Sequence, residues 1–146
     1  MKTYITFTKS KLLVLFFALV CFAIVYSQIY TVGNYDIIKT NADRIEFLKR
    51  NGYAVVDDQP VVKTVIIPIN FGDVYKNYNK LQHLAGYDLS LYKGCKVYLY
   101  TYNVKAPKGY TGDCVANIII YKNRIIGGDV SSCALGGFML PLKLYN

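Results

Sequence analysis

ANIIIYKNRIIGGDVSSC, residues 116–133, is the stretch on which the fold turns. Its two apolar runs, VANIIIY (115–121) and RIIGGDV (124–130), flank Lys122-Asn123. β-branched runs separated by a two-residue turn read as an antiparallel hairpin. If Tyr121 faces Arg124, Cys114 falls opposite residue 131 and Cys133 lies two positions beyond it. A bulge at Gly127-Gly128 would shift the strand and bring Cys114 and Cys133 within bonding distance. Such a disulfide closes a loop of about 20 residues and stabilises by roughly 3 kcal/mol on the chain-entropy estimate. Cys95 competes as partner for either sulfur, and three free thiols is the remaining alternative; whichever pair forms, one of these three cysteines stays single.

The run before the hairpin, CKVYLYTYNV (95–104), alternates Val97, Leu99 and Thr101 on one face with Tyr98, Tyr100 and Tyr102 on the other. Lys96 stands at the head of the tyrosine ladder, and Tyr75, Tyr78, Tyr87 and Tyr92 precede it. Tyrosine joins a rigid apolar ring to a polar tip, which suits a protein interface or a platform for sugar rings. The same ladder equally serves as packing beneath helices, since cross-strand aromatic pairs stabilise a sheet without binding anything. Lys96, Tyr98, Tyr100 and Tyr102 are the candidate binding residues.

Further upstream, TNADRIEFLKRNGY reads as a short helix capped by Thr40 or Asn41, with Asp43 at its start, Lys49 and Arg50 at its end, and Gly52 as its stop. Ile38, Ala42, Ile45 and Leu48 form its apolar stripe. YAVV (53–56) and VVKTVIIPI (61–69) read as strands, with Pro68 at a strand end or edge. DVYKNYNKLQHL (73–84) reads as a second helix closed by Gly86, and DLSLYKG as a tight connector. The expected class is α+β, a mostly antiparallel sheet of about five strands with two helices packed on one side.

The chain of 146 residues divides into residues 1–28, a tether at 29–39 and a single domain at 40–146. In the first segment Lys2, Lys9 and Lys11 precede an uncharged apolar run from Leu12 to Val25. That order is inserted with its positive end retained in the cytoplasm, so the rest is exported. The segment is a signal peptide or an N-terminal membrane anchor. Ala23-Ile24-Val25 and Val25-Tyr26-Ser27 are poor small-x-small cleavage sites, which favours a transmembrane anchor with the domain outside, over secretion. Val20 before Cys21 departs from a lipobox. Without the three leader lysines, 14 basic and 9 acidic side chains remain, a net of +5 scattered along the chain. Scattered charge on an exported domain argues against nucleic acid as a partner and suits an anionic membrane or wall polymer.

Catalytic material is sparse. His83 is the only histidine and sits late in a helix, no CxxC exists, and the aspartates are dispersed, so neither a thiol dyad nor a metal set is spelled out. Asp57-Asp58 sits in a turn before Pro60, where adjacent carboxylates diverge and make a poor glycosidase pair. Asp129, Ser131 and Ser132 follow the Gly-Gly pair and could face a groove, though polar strand ends also terminate ordinary sheets. Phosphate loops and the nucleophile elbow are absent, and no cofactor is implied.

The runs NADRIEFLKRNGY, VIIPINFGDVYKNYNKLQHLAGYDLSLYKGCKVYLYTYNV, VANIIIYKNRIIGGDVSS and GGFMLPL together resemble a bacterial family catalogued as domain of unknown function 4830. The resemblance spans roughly residues 40–142 and departs at Asn123, where many relatives would carry glycine. It implies a small exported or membrane-anchored protein with a single α+β domain, and carries no functional residue onto this chain. The reading that follows is a membrane-tethered extracytoplasmic module, non-enzymatic, that contacts an envelope protein or wall polymer. The alternatives are a small envelope hydrolase or redox enzyme using Asp129, Ser131 or a cysteine with His83, and a structural domain that associates with itself.

Overall fold

The computed structural model describes residues 14, 16–24 and 37–143. The chain forms two units, Met1–Tyr35 and Asp36–Asn146. In the first, residues 16–24 are helical; the cleavage positions beyond Ile24 and tether residues 29–36 lie outside the described residues. The expected transmembrane span is corrected. Among the described residues no helix is long and apolar enough to cross a membrane, a crossing that needs about 20 apolar residues.

The second unit is built on five antiparallel strands in sequential order: β1 Val61–Ile66, β2 Lys96–Val104, β3 Cys114–Tyr121, β4 Arg124–Ser132 and β5 Met139–Pro141. Three helices pack against this sheet, and not the expected two: α1 Asn41–Arg50, α2 Asp73–Leu84 and a short 3-10 helix, Leu89–Tyr92. The last is the DLSLYKG connector. Asp88 turns it into a helix by accepting the Ser90 amide at 2.8 Å, while Asn79 Oδ1 accepts the Leu89 amide at 2.8 Å.

Nor do the helices share one side. The Arg44 side chain of α1 reaches Tyr102, on the face that carries Tyr98 and Tyr100. Tyr78 of α2 reaches Asp129, which pairs through Asn117 with Thr101 on the other face. Two apolar clusters result, one around Phe47, Leu48, Tyr102, Ile118 and Ile120, the other around Ile67, Leu89, Val97, Ile119 and Ile126. The physical reason is the run of three isoleucines in β3, which sends bulk to both faces of the pleat, as in strands covered on both sides.

The local chemistry follows the residues. Thr40 Oγ1 accepts the Asp43 amide at 3.1 Å while Asp43 Oδ2 accepts the Thr40 amide at 2.8 Å, a reciprocal cap that opens α1. Lys122 and Asn123 take φ of 47° and 62°, the left-handed pair that a two-residue hairpin turn demands. YAVV contributes only an isolated bridge, Val55 to Val104, and the fifth strand comes from Met139–Pro141 instead.

The hairpin carries its bulge one residue before the expected Gly127-Gly128 pair, and both glycines are themselves paired with β3. Ile120 pairs with Ile125 but Ile119 pairs with Gly127, leaving Ile126 as the extra residue. The Gly128 amide then donates to Gln82 Oε1 of α2 at 2.8 Å. A Cβ on Gly127 would stand 2.8 Å from that same oxygen, and one on Gly128 would collide with the Asn117 carbonyl and the Leu142 side chain. Gly128→Ala is therefore expected to lower stability by about 3 kcal/mol, read as a lower urea midpoint at unchanged slope; a change under about 0.5 kcal/mol would contradict this packing.

Candidate functional site

The bulge sets the side chains that follow it. Asp129, 2% exposed, falls opposite Asn117, which falls opposite Thr101. Thr101 Oγ1 donates to Asn117 Oδ1 at 2.7 Å, Asn117 Nδ2 donates to Asp129 Oδ2 at 3.0 Å, and the Tyr78 hydroxyl donates to Asp129 Oδ1 at 2.7 Å. One chain of hydrogen bonds thus crosses β2, β3 and β4 and ends on α2. Burial raises the Asp129 carboxyl above its ordinary value, against the pull of the bonds from Tyr78, Asn117 and Ser131. Burial, and then the Asp129 carboxylate, push the Tyr78 phenol far above its usual range.

Tyr78 is also the wall of a groove of about 620 Å³ between α2 and β5, lined by Val74, Tyr75, Asn77, Tyr78, Leu81 and Met139. Val74 is 84% exposed and Met139 51%, although both are apolar. Met139 enters beside Ser131 through the β4–β5 pairing, and Tyr75 meets Tyr78 edge to face at 6.3 Å between ring centroids. The arrangement is an apolar trough whose aromatic wall is pinned from behind by a closed polar chain.

The sequence candidates are divided by the fold. Tyr102 is fully buried, receives Arg44 Nε at 2.8 Å and donates to Asn41 Oδ1 at 2.6 Å. Tyr100 is half-buried with the Arg44 guanidinium 4.0 Å above its ring. Tyr98, half exposed, and Lys96 are the two that stand openly in solvent, beside the exposed Val62 and Ile66 of β1.

Cys21, Cys95, Cys114 and Cys133 are free thiols. The bulge places Cys114 opposite Ser132, and the Cys133 amide bonds to the Asp113 carbonyl one position further out. Cys133 stands just past the end of β4 and is exposed, whereas Cys114 is buried at the start of β3. Burial, and then the neighbouring Cys133 and Asp113, raise the Cys114 thiol above its ordinary value.

His83 lies 3.4 Å from Asp88 Oδ1 and 3.2 Å from Asn79 Nδ2, and no hydrogen bond or ion pair among the described residues joins it to Asp129, Ser131 or a cysteine. The described residues contain no group of three or more His, Cys, Asp or Glu able to hold a metal ion. Asp129 and Ser131 were visible in the sequence; Tyr78, Asn117 and Thr101 were missed as their partners. The hairpin register alone sets Asn117 across from Asp129 once the bulge is counted, whereas Tyr78 is 51 positions away and has no local signal.

A family model described as Domain of unknown function (DUF4830) matches residues 47–130, more than half of the chain. The chain belongs to the DUF4830 family. That membership is consistent with an exported or membrane-associated small protein. The DUF4830 match takes in Tyr78, Gln82, Thr101, Asn117, both bulge glycines and Asp129, and stops short of Met139. No curated protein and no solved structure matches the chain.

The raised Asp129 gives a pH signature. The fold favours its protonated form, so between the ordinary aspartate value of about 3.9 and the raised folded value the native state binds more protons than the unfolded one. Its contribution to stability falls as pH rises through that window. Asp88 and Asp43 are lowered by hydrogen bonds, Asp88 first by Ser90 and then Asn79, Asp43 first by the Thr40 and Lys39 amides, and slope the opposite way. Comparison with Asp129→Asn isolates the effect. The wild-type urea midpoint minus that of the variant is expected to fall as pH rises above the ordinary aspartate value of about 3.9, and a difference that rises would contradict the assignment.

Proposed function

We propose that this DUF4830 domain is an exported, non-enzymatic interaction module that holds an apolar segment of an envelope protein in the groove between α2 and β5. The observation that carries the reading is the groove itself: exposed Val74 and Met139 facing rigid tyrosines over a volume suited to a few side chains. Methionine adapts to varied apolar shapes, and tyrosine supplies contact area at little entropic cost. Asn77 is the one amide on the rim and can orient a backbone group of the guest.

A binding role is also supported by what the polar chain does. Thr101, Asn117, Asp129 and Tyr78 satisfy one another, so the acid is used in holding the wall. An acid or nucleophile in a hydrolase needs a partner that can take or give its proton during reaction. Among the described residues the hydrogen bonds to Asp129 come from Tyr78, Asn117 and Ser131, and His83 is engaged with Asp88.

The test is selection of displayed peptides on the wild-type chain, followed by titration of the selected peptides against Val74→Glu and Met139→Glu. Both positions are exposed, so the fold tolerates the charge. Kd is expected to rise by more than about tenfold in each variant. Selected peptides that bind both variants as well as wild type would move the site elsewhere, and saturable binding of soluble wall fragments at the same residues would replace the peptide with a polymer.

A further inference from the structure

β1 forms one edge of the sheet, and among the described residues no strand lies beside it. Its burial pattern is exposed at every position but Val65, and Val61, Val62 and Ile66 are 58%, 51% and 65% exposed. The ladder to β2 tells which backbone groups are open. The Ile67 amide bonds to the Cys95 carbonyl, and the Val56 and Lys105 amides bond across to Asn103 and Ala54. These bonds make the odd-numbered β1 residues the ones bonded to β2. In an antiparallel ladder the alternate residues then turn their N–H and C=O outward, here Val62, Thr64 and Ile66.

We propose that two copies of this chain pair through their β1 edges about a two-fold axis at Thr64, joining two sheets into one. Three symmetric registers use the open groups. Centring on Lys63 sets two ammonium groups against each other, which costs free energy. Centring on Val65 sets Val62 against the partner's Pro68, which has no N–H to give. Centring on Thr64 pairs Val62 with the partner's Ile66 and Lys63 with the partner's Val65, and forms about six backbone hydrogen bonds. Pro60 then faces the partner's Pro68, so proline closes the pairing at both ends.

Charge supports the second copy as occupant. Asp57 and Asp58 are exposed just before β1, while Lys93 and Lys96 are exposed at its far end, Lys96 directly beside Ile66. Antiparallel pairing brings the acidic end of each copy to the basic end of the other, twice per dimer. A two-fold axis perpendicular to the sheet keeps faces matched, so Tyr98 of each copy, beside Thr64, flanks the seam. Lys96 and Tyr98 thereby belong to the rim of this interface.

The test is sedimentation of the full chain together with edge variants. Thr64→Pro removes an amide that bonds to nothing within the monomer, and should convert the dimer to monomer, raising Kd by more than about tenfold, with circular dichroism and urea midpoint retained. Thr64→Cys should trap a disulfide-linked dimer under mild oxidation well beyond the parent chain, while Lys63→Cys, facing Val65 of the partner subunit, should not. A wild-type chain that stays monomeric at about 100 µM, a folded Thr64→Pro dimer, or equal trapping at positions 63 and 64 would each overturn the proposal. Should Thr64→Pro fail to fold, the contrast between the two cysteine variants decides.

Discussion

The hydrogen bond from the Gly128 amide to Gln82 Oε1 is the constraint around which the domain is arranged. It joins the strongest local element, the β3–β4 hairpin, to a helix more than 40 residues earlier, and it exists because two adjacent glycines let a side chain approach the strand backbone. The same bulge inserts Ile126, steps the register by one, and so sets Asp129 across from Asn117 on the face that α2 covers. The arrangement has a cost: Gln82 is fully buried and its Nε2 has no hydrogen-bond partner among the described residues. The buried polar row beneath Tyr78 and the packing of Leu89 against Gly127 are what that cost supports.

Much of this was legible along the chain where the signal is local. The Lys122-Asn123 turn, the Thr40 cap and both α-helices are written in neighbouring residues and appear where the residues place them, while the bulge falls at Ile126, just before the glycine pair expected to host it. What failed was layering. Alternation in β2 separates the tyrosines from Val97 and Leu99 but says nothing about which face is covered, and the three isoleucines of β3 were the clue that both are. β5 is three residues long, contains Pro141 and has no periodic run, so its place comes from pairing with Asp129, Val130 and Ser131 alone.

The same limit governs the candidate site. Tyr98, Tyr100 and Tyr102 look equivalent in sequence, yet one buried arginine on α1 separates them, bonding Tyr102, stacking on Tyr100 and leaving Tyr98 in solvent. Asp129 and Ser131 stood out because acid and hydroxyl followed a glycine pair, while the phenol that completes the group lies on a distant helix. The cysteines show how a single residue shifts neighbours: without the bulge Cys133 would sit two places past the position facing Cys114, and with it one, next to the Ser132 that pairs with Cys114.

If the tie between α2 and the hairpin is what forms the groove, the Gly128 amide is released only when the whole domain unfolds. Residue-resolved native-state hydrogen exchange measures this directly. The account predicts that Gly128 exchanges with the same opening free energy as the slowest amides of β3, and that Gln82→Ala lowers its protection more than that of Tyr102 on β2. Exchange of Gly128 through a local opening, well below the global free energy, would show that the hairpin holds its bulge without α2 and would remove the basis on which the groove is built.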